Sequence, residues 1–116
     1  MKLYGIPNCD TVKKARAWLT SHAIEYEFHD YKKQGVDTAL LRKWMEEYGW
    51  ELIINRQGQT WRKLSDVEKA AVNNIDSALQ LAIDKPSVIK RPAFEFRRKL
   101  MLGFDSSQYE KTLLGK

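Results

Sequence analysis

KLYGIPNCDTVKKARAWLTSHAIEYEFH, running from Lys2 to His29, is the stretch that decides the fold. Lys2 to Ile6 is short and β-prone, and Pro7-Asn8 closes it as a turn. From Asp10 or Thr11 to His22 the pattern is helical. Val12, Ala15, Leu19 and Ala23 recur at helical steps, with Lys13, Lys14 and Arg16 to the outside. Glu25 to His29 then alternates, with Tyr26 and Phe28 on one side and Glu25, Glu27 and His29 on the other, which is the period of a strand. Strand, helix and strand in this order predict two parallel strands joined by a right-handed crossover.

Beyond this unit the chain turns helical. Asp37 is a good N-cap, and Leu40, Leu41, Trp44, Met45 and Tyr48 form an apolar face that ends at Gly49. Trp50 to Ile54 continues apolar, and Asn55 to Thr60 reads as a polar loop. Ser65 with Glu68 forms a capping box that opens another helix through Ala71 and Val72. A further short helix is expected from Asp76 to Ile83, stopped by Asp84-Lys85-Pro86. β character returns at Ser87 to Lys90, Ala93 to Phe96 and Leu100 to Leu102, with a basic turn at Arg97-Arg98-Lys99. A last helix follows Gly103, capped by Asp105 or Ser106, with Tyr109, Leu113 and Leu114 inward. The order is β-α-β, a helical insertion over about 35–85, then β-β-α.

The 116 residues correspond to one α/β domain, residues 1–116, large enough for a core without staples. The single Cys excludes an intramolecular disulfide. Cys9, His22 and His29 match no zinc spacing, so no metal is expected. Lys and Arg exceed Asp and Glu by 20 to 15, a net charge of +5. That surplus favours small anions or an acidic partner. Because the basic residues are scattered among acids, nucleic acid is not expected as a partner. No membrane-length apolar run and no signal-like start are present, which leads to the expectation of a cytoplasmic protein whose thiol stays free.

Cys9 is the first candidate for chemistry. It lies between a strand and a helix, where unpaired N–H groups and the positive end of the helix dipole stabilise a thiolate. Lys13 and Lys14 are expected to push the same way and Asp10 the opposite way. Arg91, before Pro92, meets an anion at the thiol if Pro92 lies beside Cys9. Arg56 and Arg62 flank the polar loop and offer forked donors to carboxylates or oxyanions. Arg97-Arg98-Lys99 reads as a hairpin tip, and the four tryptophans read most simply as packing, with Trp61, next to Arg62, the one candidate to line a cleft.

Together these residues resemble the arsenate reductase (ArsC)/Spx family, nearest to its YffB-type proteins. The resemblance rests on Gly5-Ile6-Pro7-Asn8-Cys9-Asp10-Thr11-Val12-Lys13-Lys14-Ala15, His29-Asp30-Tyr31, Gly49-Trp50, Asn55-Arg56, Thr60-Trp61-Arg62-Lys63-Leu64, Ile89-Lys90-Arg91-Pro92 and Leu102-Gly103-Phe104. It implies a thioredoxin-like (glutaredoxin-like) fold with a helical insertion between its halves, and a cis peptide bond before Pro92. It also implies that Cys9 attacks a substrate, with Arg56 and Arg91 as the other catalytic residues. Asn8, Thr11, Lys13, Arg62 and Pro92 are then expected to bind substrate or glutathione. In the arsenate reductases, glutathione and glutaredoxin complete the reduction.

The departures shape the expected activity. Gly5 stands where arsenate reductases carry a His, and Cys-Gly-Thr-Ser-Arg becomes Cys9-Asp10-Thr11-Val12-Lys13. A third arginine is replaced near Gly103-Phe104. The reading is therefore a glutathione-dependent thiol reductase that forms a mixed disulfide or oxyanion adduct on Cys9, with weak or absent arsenate reduction. No cofactor is bound, and glutathione is the co-substrate. The alternative is a regulator like those of the Spx branch, which bind the RNA polymerase α subunit. With Val12 at the partner position, Cys9 has no Cys-x-x-Cys switch.

Overall fold

A computed structural model of the chain describes residues 1–115. It divides into two compact units, Met1–Gln34 with the stretch from Arg91 onward, and Gly35–Lys90.

The first unit is built on a sheet of β1 (Lys2–Gly5), β2 (Glu27–Asp30), β3 (Ala93–Phe96) and β4 (Lys99–Leu102), in the order β2-β1-β3-β4. β1 and β2 are parallel, with Gly5 opposite Asp30, while β3 runs antiparallel to β1, with Ala93 opposite Tyr4. β4 returns antiparallel to β3 through a turn in which Arg97 takes a positive φ of 56°. α1 (Asp10–Ser21) links the parallel strands, and α2 (Tyr31–Gln34) follows β2 directly. Side chains alternate across the sheet. Leu3, Phe94 and Met101 face Ala15 and Leu19 of α1 and the ring of Tyr109, in one buried cluster. Burying each of the large apolar side chains in this cluster contributes about 1.5–3 kcal/mol.

The second unit holds α3 (Thr38–Tyr48), α4 (Trp50–Ile53), α5 (Gln59–Arg62), α6 (Asp66–Ala71) and α7 (Ile75–Asp84). The Asp37 side chain accepts from Leu40 N–H at 3.2 Å, and Gly49, at φ 89°, ends α3 in a conformation other residues avoid. The capping box of α6 is complete: Ser65 Oγ accepts from Glu68 N–H at 3.1 Å, and the Glu68 carboxylate accepts from Ser65 N–H at 2.9 Å. Asn74 and Ser77 form a second box at the start of α7. Leu41, Trp44 and Met45 of α3 are buried, as are Ala78, Leu79 and Ala82 of α7, and the two helices pack together. No described helix is long and apolar enough to cross a membrane.

Four local expectations are corrected. The second strand starts at Glu27, not Glu25, because Ala23 turns with φ 55° and Ile24 N–H bonds back to Leu19, so the chain is still leaving α1. Ser87 to Lys90 is not a strand. Pro86 opens a short 3-10 turn, Pro86–Val88, that commits Val88 N–H to Lys85 and Ile89 N–H to Pro86, leaving one bridge from Ile89 to Ile54. The loop read over Asn55 to Thr60 ends early, because α5 starts at Gln59. Leu114 is 37% exposed, because Glu110–Leu114 winds as a wider π turn that rotates side chains off the α register.

Candidate functional site

β1 carries the chain into Pro7-Asn8, and Cys9 becomes the N-cap of α1 with extended backbone angles, φ −138° and ψ 125°. Gly5 permits this close approach of strand and helix. A Cβ placed on it would lie 2.9 Å from Cγ2 of the fully buried Val12. Cys9 is half-buried, with its sulfur at the open end of α1. No strict capping hydrogen bond closes there, but the N–H groups of Val12 and Thr11 act on the sulfur.

Arg91 reaches the same sulfur. The Arg91-Pro92 peptide is cis, and Pro92 is fully buried. Pro92 C=O accepts from Gly103 N–H at 2.8 Å, so the entry to β3 is fixed from the β4 side. Since Ala93 pairs with Tyr4, Arg91 enters beside the end of β1 and the Cys9 loop, where its guanidinium hydrogen-bonds the thiol.

Burial of Cys9 pushes its pKa up. Val12 N–H, the hydrogen bond and charge of Arg91, and Thr11 N–H together outweigh that and leave it below the ordinary value. Lys13 and Lys14, expected to act in the same direction, stand exposed on α1, and the lowering comes from the groups just named. Asn8 is exposed, and Thr11 contributes through its backbone rather than its hydroxyl.

At the same sheet edge lies an aromatic group that the sequence reading did not single out. The Tyr4 and His29 ring centroids are 5.1 Å apart, Tyr4 and Tyr31 6.2 Å, and His29 and Tyr31 5.7 Å. The register accounts for the first contact, because Tyr4 pairs with His29, and Tyr31 opens α2 directly after β2. The closeness of His29 and Tyr31 in sequence was the available signal, once the strands were known to be parallel and in this register.

The structure brings Cys9, Arg91 and Pro92 together in the first unit. Arg56 and Arg62 belong to the second. Arg56 lines a cavity of about 320 Å³ together with Asn55, Gln57, Glu51 and Lys90, its guanidinium 5.7 Å from the Trp50 ring. Arg62 is exposed at the end of α5. No cluster of metal-ligating side chains occurs among the described residues. His22, stacked on Trp18 at 3.9 Å, is in a packing role.

Residues 4–112 match the ArsC family. The chain belongs to that family. Its fold is thioredoxin-like, a mixed α/β arrangement around the four-stranded sheet. Among solved structures it is similar to the YffB protein, at 45% identity and a TM-score of 0.90, with 97% of each chain covered. A protein related to arsenate reductase from Brucella melitensis is 46% identical at a TM-score of 0.77, covering 97% of this chain and 92% of that one. The global transcriptional regulator Spx 1 of Lactococcus lactis is 32% identical, over 91% of this chain and 83% of its own. Relatives of both kinds, enzyme-related and regulatory, thus match this chain over most of its length.

Proposed function

We propose that this protein is a glutathione-dependent thiol reductase with Cys9 as its nucleophile. The observation that carries the reading is the thiol itself, half-buried at the start of α1 and lowered in pKa by backbone N–H groups and by Arg91. The thiolate is the reactive form. It attacks a disulfide sulfur, a Cys9–S–S bond forms, the substrate S–S bond breaks, and the leaving sulfur departs as a thiolate. With no second Cys in the chain, release needs an outside thiol. Glutathione attacks the mixed disulfide, Cys9 leaves as thiolate, and the glutathione sulfur takes over the bond. Arg91 faces the reacting sulfur and suits the carboxylates of the tripeptide. Asn8, Thr11, Lys13 and Pro92 are assigned here to binding glutathione; Arg56, which matches a family arginine, and Arg62, the candidate substitute for the missing third arginine, belong to the second unit.

Arsenate reduction is a poor fit. Val12 packs onto Gly5 where the arsenate reductases carry a histidine, so no activating imidazole fits there without displacing Val12.

Incubation with glutathione disulfide, followed by intact and peptide mass measurement, tests the reading. One glutathione on Cys9, absent from Cys9→Ser, is the expected result. A wild-type chain that takes up no glutathione overturns it. The similarity to Spx 1 favours a second reading, binding to the RNA polymerase α subunit without a disulfide switch. A pull-down with that subunit distinguishes the two.

A further inference from the structure

One buried polar group at the same end of the sheet has no role in the reaction just described. Tyr31 is 4% exposed, and its hydroxyl oxygen is buried with no hydrogen-bond partner. Such an orphan disfavours the folded state, and most buried hydroxyls avoid it. The Tyr109 hydroxyl, in the core of the first unit, is a second such group; the Tyr31 hydroxyl differs from it in its place. The sheet order β2-β1-β3, with Gly5 opposite Asp30 and Tyr4 opposite Ala93, puts Tyr31 just past the end of β2 and Arg91 just before β3. The end of β1, leading to Cys9, runs between them.

We infer that Tyr31 is a ligand-positioning residue whose hydroxyl donates to an oxygen of the anion held beside Cys9 by Arg91. The inference rests on the reading of Cys9 and Arg91 as the reactive site. Two further facts support it. Arg91 is close enough to act electrostatically on the Tyr31 phenol as well as on the Cys9 sulfur. Burial, with a smaller contribution from Tyr4, holds the phenol well above its ordinary pKa despite the opposing charge of Arg91, so it stays protonated at any working pH. A permanently protonated phenol beside a guanidinium forms a pair of donors, and a pair of donors suits an oxyanion: a carboxylate, a sulfonate or a tetrahedral oxyanion. The hydroxyl is covered in the free chain, so the anion reaches it through a side-chain rearrangement at this edge.

The test uses inorganic sulfate as the probe, in wild type and Tyr31→Phe, reading protection of Cys9 from iodoacetamide. Sulfate should protect wild type, with about 3- to 10-fold weaker apparent affinity in Tyr31→Phe, the range for one neutral hydrogen bond. The free variant should keep the wild-type pH profile of alkylation and melt no lower, because the deleted hydroxyl has no partner to lose. Sulfate should also move the Tyr31 ring signals in NMR spectra of wild type. Equal protection of both chains overturns the inference, as does failure of sulfate to protect wild type. A changed alkylation pH profile in sulfate-free Tyr31→Phe also overturns it, since the hydroxyl would then act on the thiol. Glutathione uptake by wild type, measured in parallel, separates failure of this inference from failure of the reductase reading.

Discussion

Cys9 is acidified by geometry that single substitutions can take apart. Arg91 supplies both a hydrogen bond and a charge, so Arg91→Gln should raise the apparent pKa in a profile of iodoacetamide alkylation rate against pH, while wild type titrates below the ~8.5 of a free thiol. The stability consequence has a definite sign. A thiol with a depressed folded-state pKa stabilises the fold fully above its unfolded pKa, and that contribution is lost as pH falls through the folded value. Wild type should therefore gain on Cys9→Ser in urea melts as pH rises from neutral to about 9, the range set by the ordinary thiol pKa. Gly5 offers a second test. Gly5→Ala puts a methyl 2.9 Å from Val12 Cγ2, with both positions enclosed between β1 and α1. Overpacking of this kind costs about 1–3 kcal/mol. Val12→Ala in the same chain should recover part of it, and a double-mutant cycle in urea should show coupling of about 0.5 kcal/mol or more. Additive effects would mean that the contact relaxes freely.

Among the elements, local chemistry decided what could be read in advance. Asp37 before an apolar stripe, and Ser65 with Glu68, place two helix starts correctly, because caps act within one turn. The parallel β-α-β unit was equally legible from the change of period between α1 and β2. What failed was non-local or backbone-determined. Ser87 to Lys90 has strand-like residues, yet Pro86 sets a 3-10 turn. The Asn74–Ser77 box hid behind Asp76, which looked the better start. Within the candidate site, Cys9 was singled out by its place between strand and helix, and Arg91 by its place before Pro92 as well as by the family pattern. Tyr31 was not, since its place depends on the register of β2 against β1. The capping assignments predict matching energetics. Asp37→Ala, Ser65→Ala and Asn74→Ala should each destabilise by about 1 kcal/mol in chemical denaturation. Arg42→Ala, which breaks the exposed 2.8 Å pair with Asp76, should change stability by less than about 0.5 kcal/mol. A larger Arg42 effect would make this link between α3 and α7 structural rather than incidental.

The whole chain carries +5, and that surplus bears on encounter rather than on fold. Glutathione disulfide is a net anion at neutral pH, and the site offers Arg91 at the sulfur with Lys13 and Lys14 exposed on the adjoining helix. On the proposed reading, these exposed lysines help attract an anionic substrate. Attraction between exposed charges is screened over about 10 Å at 0.1 M salt, whereas the short contact from Arg91 to the sulfur is screened much less. The second-order rate of Cys9 with glutathione disulfide should therefore fall about threefold or more as ionic strength rises from about 0.02 to 0.5 M. Reaction with neutral iodoacetamide at the same pH reports the thiolate fraction alone and should stay nearly constant. Lys13→Gln with Lys14→Gln should flatten the salt dependence for glutathione disulfide and leave the iodoacetamide rate unchanged. If both reagents slow equally with salt, the ions are acting on the thiolate itself, and the surface charge has no part in recognising the substrate.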